Sequence, residues 1–276
     1  MTKVGVCQMT ATSDREANFA VCARLIAEAK EQGAALVCLP ECFHFIGEAA
    51  EESVAIAESI SDGPTVARYA AVAREHGVWL SLGGFQERAA EEERIHNAHV
   101  VLTPTGAVAA VYRKVHLFDA PLVGLRESRL TSPGAEPCVV CAGTPAGRLG
   151  LSVCYDLRFS ELYAALRRRG GAHTLLVPAA FTVTTGKAHW ELLLRARAVE
   201  TQCYVVAAAQ VGRHNGKRES FGRAMIVDPW GTVVAECEAG ATGVAVAEID
   251  LALVEGTRAK MPVASHARPD LFGAAL

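Results

Sequence analysis

The chain has 276 residues, 51% of them hydrophobic, with 27 Lys+Arg against 30 Asp+Glu, a net charge of −3 and a pI near 6.3. Without a basic excess to neutralise phosphates, nucleic acid is excluded as a partner, and no run of about eighteen uninterrupted apolar residues is present to span a membrane. Residues 1–9 alternate as a strand from the start, without a basic leader and long apolar stretch, and this points to a cytosolic protein.

In chain order, KVGVCQM reads as a strand, and residues from about Asp14 to Gln32 as a helix opened by a Ser13/Glu16 capping box and followed by Gly33. Next come strand AALVCLP, a helix from Pro64 to His76 with Gly77 behind it, strand VWLSLGGF and the hairpin AHVVLTPTGAVAAVYRK. The same order then returns. Strand RLGLSVCYD leads to helix SELYAALRRR, with Ser160 as N-cap and Gly170 after it, then to strand HTLLVPAA and helix KAHWELLLRARAVE. Strand CYVVAAAQV and hairpin RAMIVDPWGTVVAECE complete the repeat. Apolar strands alternating with amphipathic helices require sheets covered by helices. The duplication therefore predicts an α/β fold of two stacked sheets: a four-layer αββα sandwich with an internal pseudo-two-fold, forming a single domain over 1–276.

The nine cysteines are odd in number and scattered through apolar segments, as expected of free thiols in a reducing compartment. Cys138 and Cys141 have a ligand-like spacing, but EPCVVC reads as a strand whose positions three apart face opposite sides. Cys38, Cys42 and His44 lack a second pair, so no metal is expected. TTGKA lacks the upstream glycine and the Ser/Thr of a phosphate loop, and the chain has no GxGxxG.

Placing the halves in register sets Cys154-Tyr155 against Cys7-Gln8, and Pro40-Glu41 against Pro178-Ala179. The polar residues break the repeat, and Glu41, Lys114 and Cys154, each following a strand, converge at one edge of the sandwich. Cys154 departs from a buried structural thiol because Tyr155, Asp156 and Arg158 follow it at once, as where a strand ends at a cleft. Glu41 lies between CLP and CFHFIG, an apolar setting in which an unpaired carboxylate is costly.

LPECF, YRKVHLF, VCYDLRF, FTVTTGKAHWELLLRARAVETQCYVVAAAQ and DPWGTVVA resemble the carbon-nitrogen hydrolase (nitrilase) superfamily nearly end to end. The segment after Phe181 and the tail MPVASHARPDLF are similar to its Nit subfamily. The resemblance implies that Glu41 is the general base, Lys114 binds the oxyanion, Cys154 is the nucleophile, and Glu127 of RESRLTSPG holds Lys114. Ser160 stands where the family usually has proline.

An ordinary thiol, with a pKa of about 8.5, is a few per cent thiolate at neutral pH, so attack needs a base or cation at hand. Glu41 takes the thiol proton and returns it to the departing nitrogen, while Lys114 and the Tyr155 N–H hold the oxyanion; no metal or organic cofactor is needed. A buried Arg158 guanidinium suits a substrate carboxylate, and Phe181, Thr182 and Thr184 are placed to wall the pocket. These features and the resemblance predict an amidase converting a small carboxylate-bearing amide to the acid plus ammonia, with deaminated glutathione first and α-ketoglutaramate second. The alternative is a catalytically weak interaction protein on the same fold. Consecutive Leu192, Leu193 and Leu194 exceed one buried stripe, and with the resemblance they predict at least a homodimer.

Overall fold

The computed structural model describes residues 1–90, 93–121 and 124–272. The first half comprises β1 (Thr2–Met9), α1 (Arg15–Glu31), β2 (Leu36–Leu39), α2 (Ala50–Ala55), α3 (Pro64–His76), β3 (Trp79–Arg88), β4 (Ile95–Leu102) and β5 (Val108–Arg113). A small pair, β6 (Asp119–Ala120) and β7 (Leu125–Arg126), separates it from β8 (Val140–Thr144), β9 (Gly147–Leu151), α4 (Ser160–Arg168), β10 (Thr174–Leu176) and α5 (Val183–Thr201). Then follow β11 (Tyr204–Ala207), β12 (Ala209–Arg213), β13 (Glu219–Phe221), β14 (Met225–Val227), β15 (Val233–Glu236), β16 (Gly243–Ile249) and α6 (Leu251–Lys260). The one-turn helices α7 (Val263–His266) and α8 (Pro269–Phe272) end the described chain.

Eight strands form one sheet, in the order β13-β12-β1-β2-β3-β4-β5 with β16 also on β1, and six form the other, β15-β14-β11-β10-β9-β8. Side chains alternate between sheet faces, so β1 and β2 serve two cores at once. Val4, Val6, Leu36 and Cys38 meet Leu149, Leu151 and Leu175 between the sheets. Cys7, Met9, Val37 and Leu39 face the other way, against Cys22, Leu25 and Ile26 of α1 and Val66 and Tyr69 of α3. Tyr163 of α4 and Trp190 and Leu194 of α5 pack on the second sheet. The αββα sandwich expected from the duplication is the observed fold.

Local departures have local causes. Asp14, not Ser13, caps α1, its carboxylate accepting from the Glu16 and Ala17 N–H groups. Phe159 occupies the N-cap of α4, leaving Ser160 as its exposed first residue. The run CYVVAAAQV is two strands. β11 pairs with β10 and β14 in the six-stranded sheet, whereas β12 pairs in parallel with β1 in the eight-stranded sheet. Ala208, 1% exposed, is the crossing point. This crossover brings the β12–β13 hairpin to the edge where Glu41 lies.

Candidate active site

Glu41 follows a fully buried strand, β2, and a proline that cannot donate to the ladder. Its loop is received by a bulge in β3, where the register with β4 shifts between Leu82 and Phe85 around Gly83 and Gly84. Cys42 N–H donates to the Gly84 carbonyl at 3.0 Å. A Cβ on Gly84 would lie 2.5 Å from Glu41 Cγ, 2.8 Å from Glu41 Cα and 2.9 Å from Cys42 N, and its φ is +63°. Gly84→Ala should therefore destabilise the fold by about 2–4 kcal/mol in urea unfolding, combining a left-handed alanine with overpacking against backbone. A loss under about 1 kcal/mol would show that the loop yields freely.

Cys154 does not end a strand: β9 stops at Leu151, and Cys154 opens a 3₁₀ turn through Arg158. Its φ of 49° is uncommon for a residue with a side chain and costs on the order of 1–2 kcal/mol, so neighbouring contacts must impose it. Its N–H donates to the Pro178 carbonyl at 2.9 Å. The buried Asp156 carboxylate accepts from the Val153 N–H at 2.8 Å, the Tyr112 hydroxyl at 2.8 Å and the His116 N–H at 3.2 Å, with His116 Nδ1 at 2.7 Å. Asp156 thereby ties the cysteine turn to the segment on either side of Lys114.

Lys114 and Glu41 are 2% and 4% exposed, so both charges depend on protein partners. Lys114 Nζ donates to Glu127 Oε2 at 2.8 Å and reaches Glu41 Oε1 at 3.4 Å. Burial alone would lower the ammonium's pKa, but Glu127, Glu41 and Cys154 hold it well above the usual lysine value. Burial likewise works to raise Glu41, yet the Lys114 charge, a hydrogen bond from the Cys154 thiol and another from Asn97 keep its carboxyl below the usual range. Burial, reinforced by the Glu41 charge, pushes the Cys154 thiol well up against the opposing pull of Lys114. The resting pair is thus a neutral thiol donating to a carboxylate.

The structure brings Glu41, Lys114, Glu127 and Cys154 together. Tyr155 is half-buried, its ring edge-on to Phe118 and Phe159. Arg158 is half-buried rather than buried, near the Phe181 and Tyr155 rings, with both terminal nitrogens 3.4 Å from His189 Nδ1. Phe181 is buried against Trp190. α5 begins at Val183, well before Lys187, which makes the half-buried Thr182 its N-cap, bonded to Thr185 Oγ1, and places the exposed Thr184 on its first turn.

Sequence reasoning passed over Asn97, whose Nδ2 donates to Glu41 Oε1 at 2.9 Å and to Glu127 Oε1 at 3.2 Å. The Lys114 N–H donates to the Asn97 carbonyl at 2.9 Å, so the β4–β5 hairpin register was the available signal. It also passed over Gln210, whose Nε2 donates to the Glu41 carbonyl at 3.0 Å, because the crossover into β12 was not expected.

A thiol, a carboxylate and an ammonium enclosed at the edge of an αββα sandwich define a hydrolase that opens carbon–nitrogen bonds through a cysteine. The carbon-nitrogen hydrolase family model matches residues 3–259, and the chain belongs to that family. It is 52% identical to deaminated glutathione amidase of Bos taurus over 276 residues, covering 98% of this chain and 83% of the relative. The crystal structure of the C. elegans NitFhit protein superposes with a TM-score of 0.92 at 46% identity; 98% of this chain is covered, and it spans 66% of that longer one. A mutant amidase from Nesterenkonia sp. AN1, showing Michael addition of acrylamide at the active site cysteine, matches with a TM-score of 0.77 at 28% identity, over 95% of this chain and 98% of that one.

Proposed function

We propose that the protein is a deaminated glutathione amidase in which Cys154 is the nucleophile, Glu41 the proton carrier, Lys114 the oxyanion donor and Glu127 the residue holding Lys114. The observation that carries this reading is the Lys114 ammonium set between two carboxylates, one of which accepts the Cys154 thiol. As sulfur attacks the amide carbon, its proton passes to Glu41, and the carbonyl oxygen takes the negative charge beside Lys114 Nζ and the Tyr155 N–H. Collapse breaks the C–N bond while Glu41 protonates the departing nitrogen. A water then gives a proton to Glu41 and its oxygen to the thioester carbon, and the sulfur leaves to recover that proton.

In deaminated glutathione the scissile nitrogen belongs to cysteinylglycine. The products are therefore α-ketoglutarate and that dipeptide, not an acid plus ammonia; ammonia is the product only from α-ketoglutaramate. Arg158, flanked by the Tyr155 and Phe181 rings, is suited to the keto-acid carboxylate. The names of the relatives support the tripeptide-derived substrate over α-ketoglutaramate. Mass spectrometric measurement of both products, with the two substrates competing in one assay, tests the assignment. Release of cysteinylglycine in preference to ammonia is expected, and the reverse preference would overturn it.

We also read the chain as a cytoplasmic metabolite-repair enzyme acting as a homodimer. Nine free cysteines suit a reducing compartment, and among the described residues no helix is long and apolar enough to cross a membrane. Leu194 is buried and Leu193 partly so, which leaves Leu192, 67% exposed, next to exposed Val199 and Trp230. These three border a groove of about 590 Å³ on α5 that contains none of Glu41, Lys114, Glu127 or Cys154. Apolar side chains grouped this way favour a symmetric partner. Light scattering should give at least twice the 29.2 kDa chain mass at micromolar concentration, and Trp230→Glu should lower it; a wild-type monomer would remove the assignment.

A further inference from the structure

We propose that Arg218 binds the carboxylate of the leaving group, here the glycine carboxylate of the dipeptide half, and so forms a second anion subsite on the Glu41 side of the pocket. The inference rests on the substrate reading above and extends it.

Arg218 lies in the turn of the β12–β13 hairpin, which the crossover at Ala208 delivers to the active-site edge. The turn is built, not loose. Asn215 Oδ1 accepts from the Lys217 and Arg218 N–H groups, both at 2.8 Å, and Asn215 Nδ2 donates to the Gly47 carbonyl at 2.8 Å, at the end of the loop that begins with Glu41. His214 Nδ1 lies 2.8 Å from the Ala11 carbonyl and Nε2 2.8 Å from Ser220 Oγ, fixing both arms. Beyond the turn, Ser220 bridges Thr182, and the Phe221 N–H donates to the Phe181 carbonyl at 2.9 Å. One hairpin thus touches the Glu41 loop on one side and the Phe181 segment on the other.

Within this frame Arg218 is half-buried and has no salt bridge among the described residues. Arg15 and Arg223, also half-buried, are paired with carboxylates, Arg15 with Glu58 and Arg223 with Glu191 and Glu236, whereas Arg218 shares with Arg158 the lack of a carboxylate partner among the described residues. The Arg218 charge acts with that of Lys114 at both Glu41 and Cys42, offsetting burial at the carboxyl and the Glu41 and Glu127 charges at the thiol. A guanidinium in that position fits a planar carboxylate.

The chemistry assigns the side. Glu41 must protonate the leaving nitrogen, so that nitrogen and whatever it carries lie toward Glu41 and hence toward Arg218. Arg158, on the turn that follows Cys154, is left for the acyl half. The deaminated tripeptide has a carboxylate at each end, whereas α-ketoglutaramate has one and releases ammonia. Two arginines therefore match the longer substrate, and Arg218 sets the preference for it.

The test is the ratio of kcat/KM for deaminated glutathione to that for α-ketoglutaramate, in wild type and in Arg218→Gln. Loss of one charge-assisted carboxylate contact at a half-buried site should reduce this ratio about 10- to 100-fold. A deaminated tripeptide ending in a carboxamide should lose a similar factor with wild type and lose little further with the variant. Equal losses on both substrates, an unchanged ratio, or additive losses with the carboxamide would overturn the subsite. Wild-type hydrolysis of the tripeptide is read separately: its absence overturns the substrate reading itself.

Discussion

Cys154→Ala should retain the fold and substrate binding while losing at least about 10⁴-fold in kcat, because the covalent step loses its nucleophile. The substitution also relieves little backbone strain, since alanine at φ 49° is as unfavourable as cysteine, and thermal stability should stay near wild type. Cys7→Ala is the matched control. Cys7 holds the pseudo-symmetric position but is fully buried, and burial first, with the charges of Cys22, Cys38 and Cys237 next, pushes its thiol far up. Its removal should cost a small cavity and leave turnover close to wild type. Intact-mass detection of an acyl-enzyme in wild type and in Cys7→Ala, but not in Cys154→Ala, completes the result. Turnover surviving in Cys154→Ala would end the mechanism.

Glu41→Gln and Lys114→Met should each lose about 10³-fold or more in kcat, and they differ in how they do so. Every group facing the Glu41 oxygens is a donor: Asn97 Nδ2, Lys114 Nζ, the Ala180 N–H and the Cys154 thiol. The amide group of a glutamine meets only donors there, so Glu41→Gln should also cost about 1–3 kcal/mol of stability. Lys114→Met leaves two carboxylates joined only through Asn97. In wild type the carboxyl of Glu41 titrates below the usual range, so activity is retained as pH falls until that lowered pKa is reached. Without Lys114 the carboxyl titrates higher, and the acid limb of kcat/KM for the residual activity should move upward. A limb that stays in place would show that Lys114 does not act on Glu41. An effect confined to KM would show that neither residue acts in the transition state.

These expectations depend on different depths of information. The segments β1, α1 and α3 and the hairpins were legible because strand alternation, helix period and end signals such as Gly77, at φ 60°, are set by near neighbours. Cys154 and Glu41 were legible as candidates because an apolar run meets a polar turn at the one and surrounds a carboxylate at the other, and Lys114 and Glu127 chiefly through the motifs they match. Asn97 and Asp156 were not counted, since nothing beside them in the chain distinguishes a buried bridging amide or carboxylate from a surface one. Arg158 was expected buried and is half-exposed, because its burial depends on how α5 and the Cys154 turn pack, and α5 starts earlier than its apolar period suggests.

The sequence by itself determined the main strands and helices of the two halves, the duplicated sandwich and the residue types able to do thiol chemistry, all of which rest on periodicity and composition within a few residues. Only the tertiary structure decided that the chain crosses between sheets at Ala208, that Gly84 admits the Glu41 backbone, and that Lys114 is held between Glu41 and Glu127 beside a protonated Cys154. Those outcomes are set by close approach and charge between residues far apart in the chain, such as Ala180 and Glu41, 139 positions apart. Coulombic and packing energies depend on distance in space, which the distance along the chain does not specify.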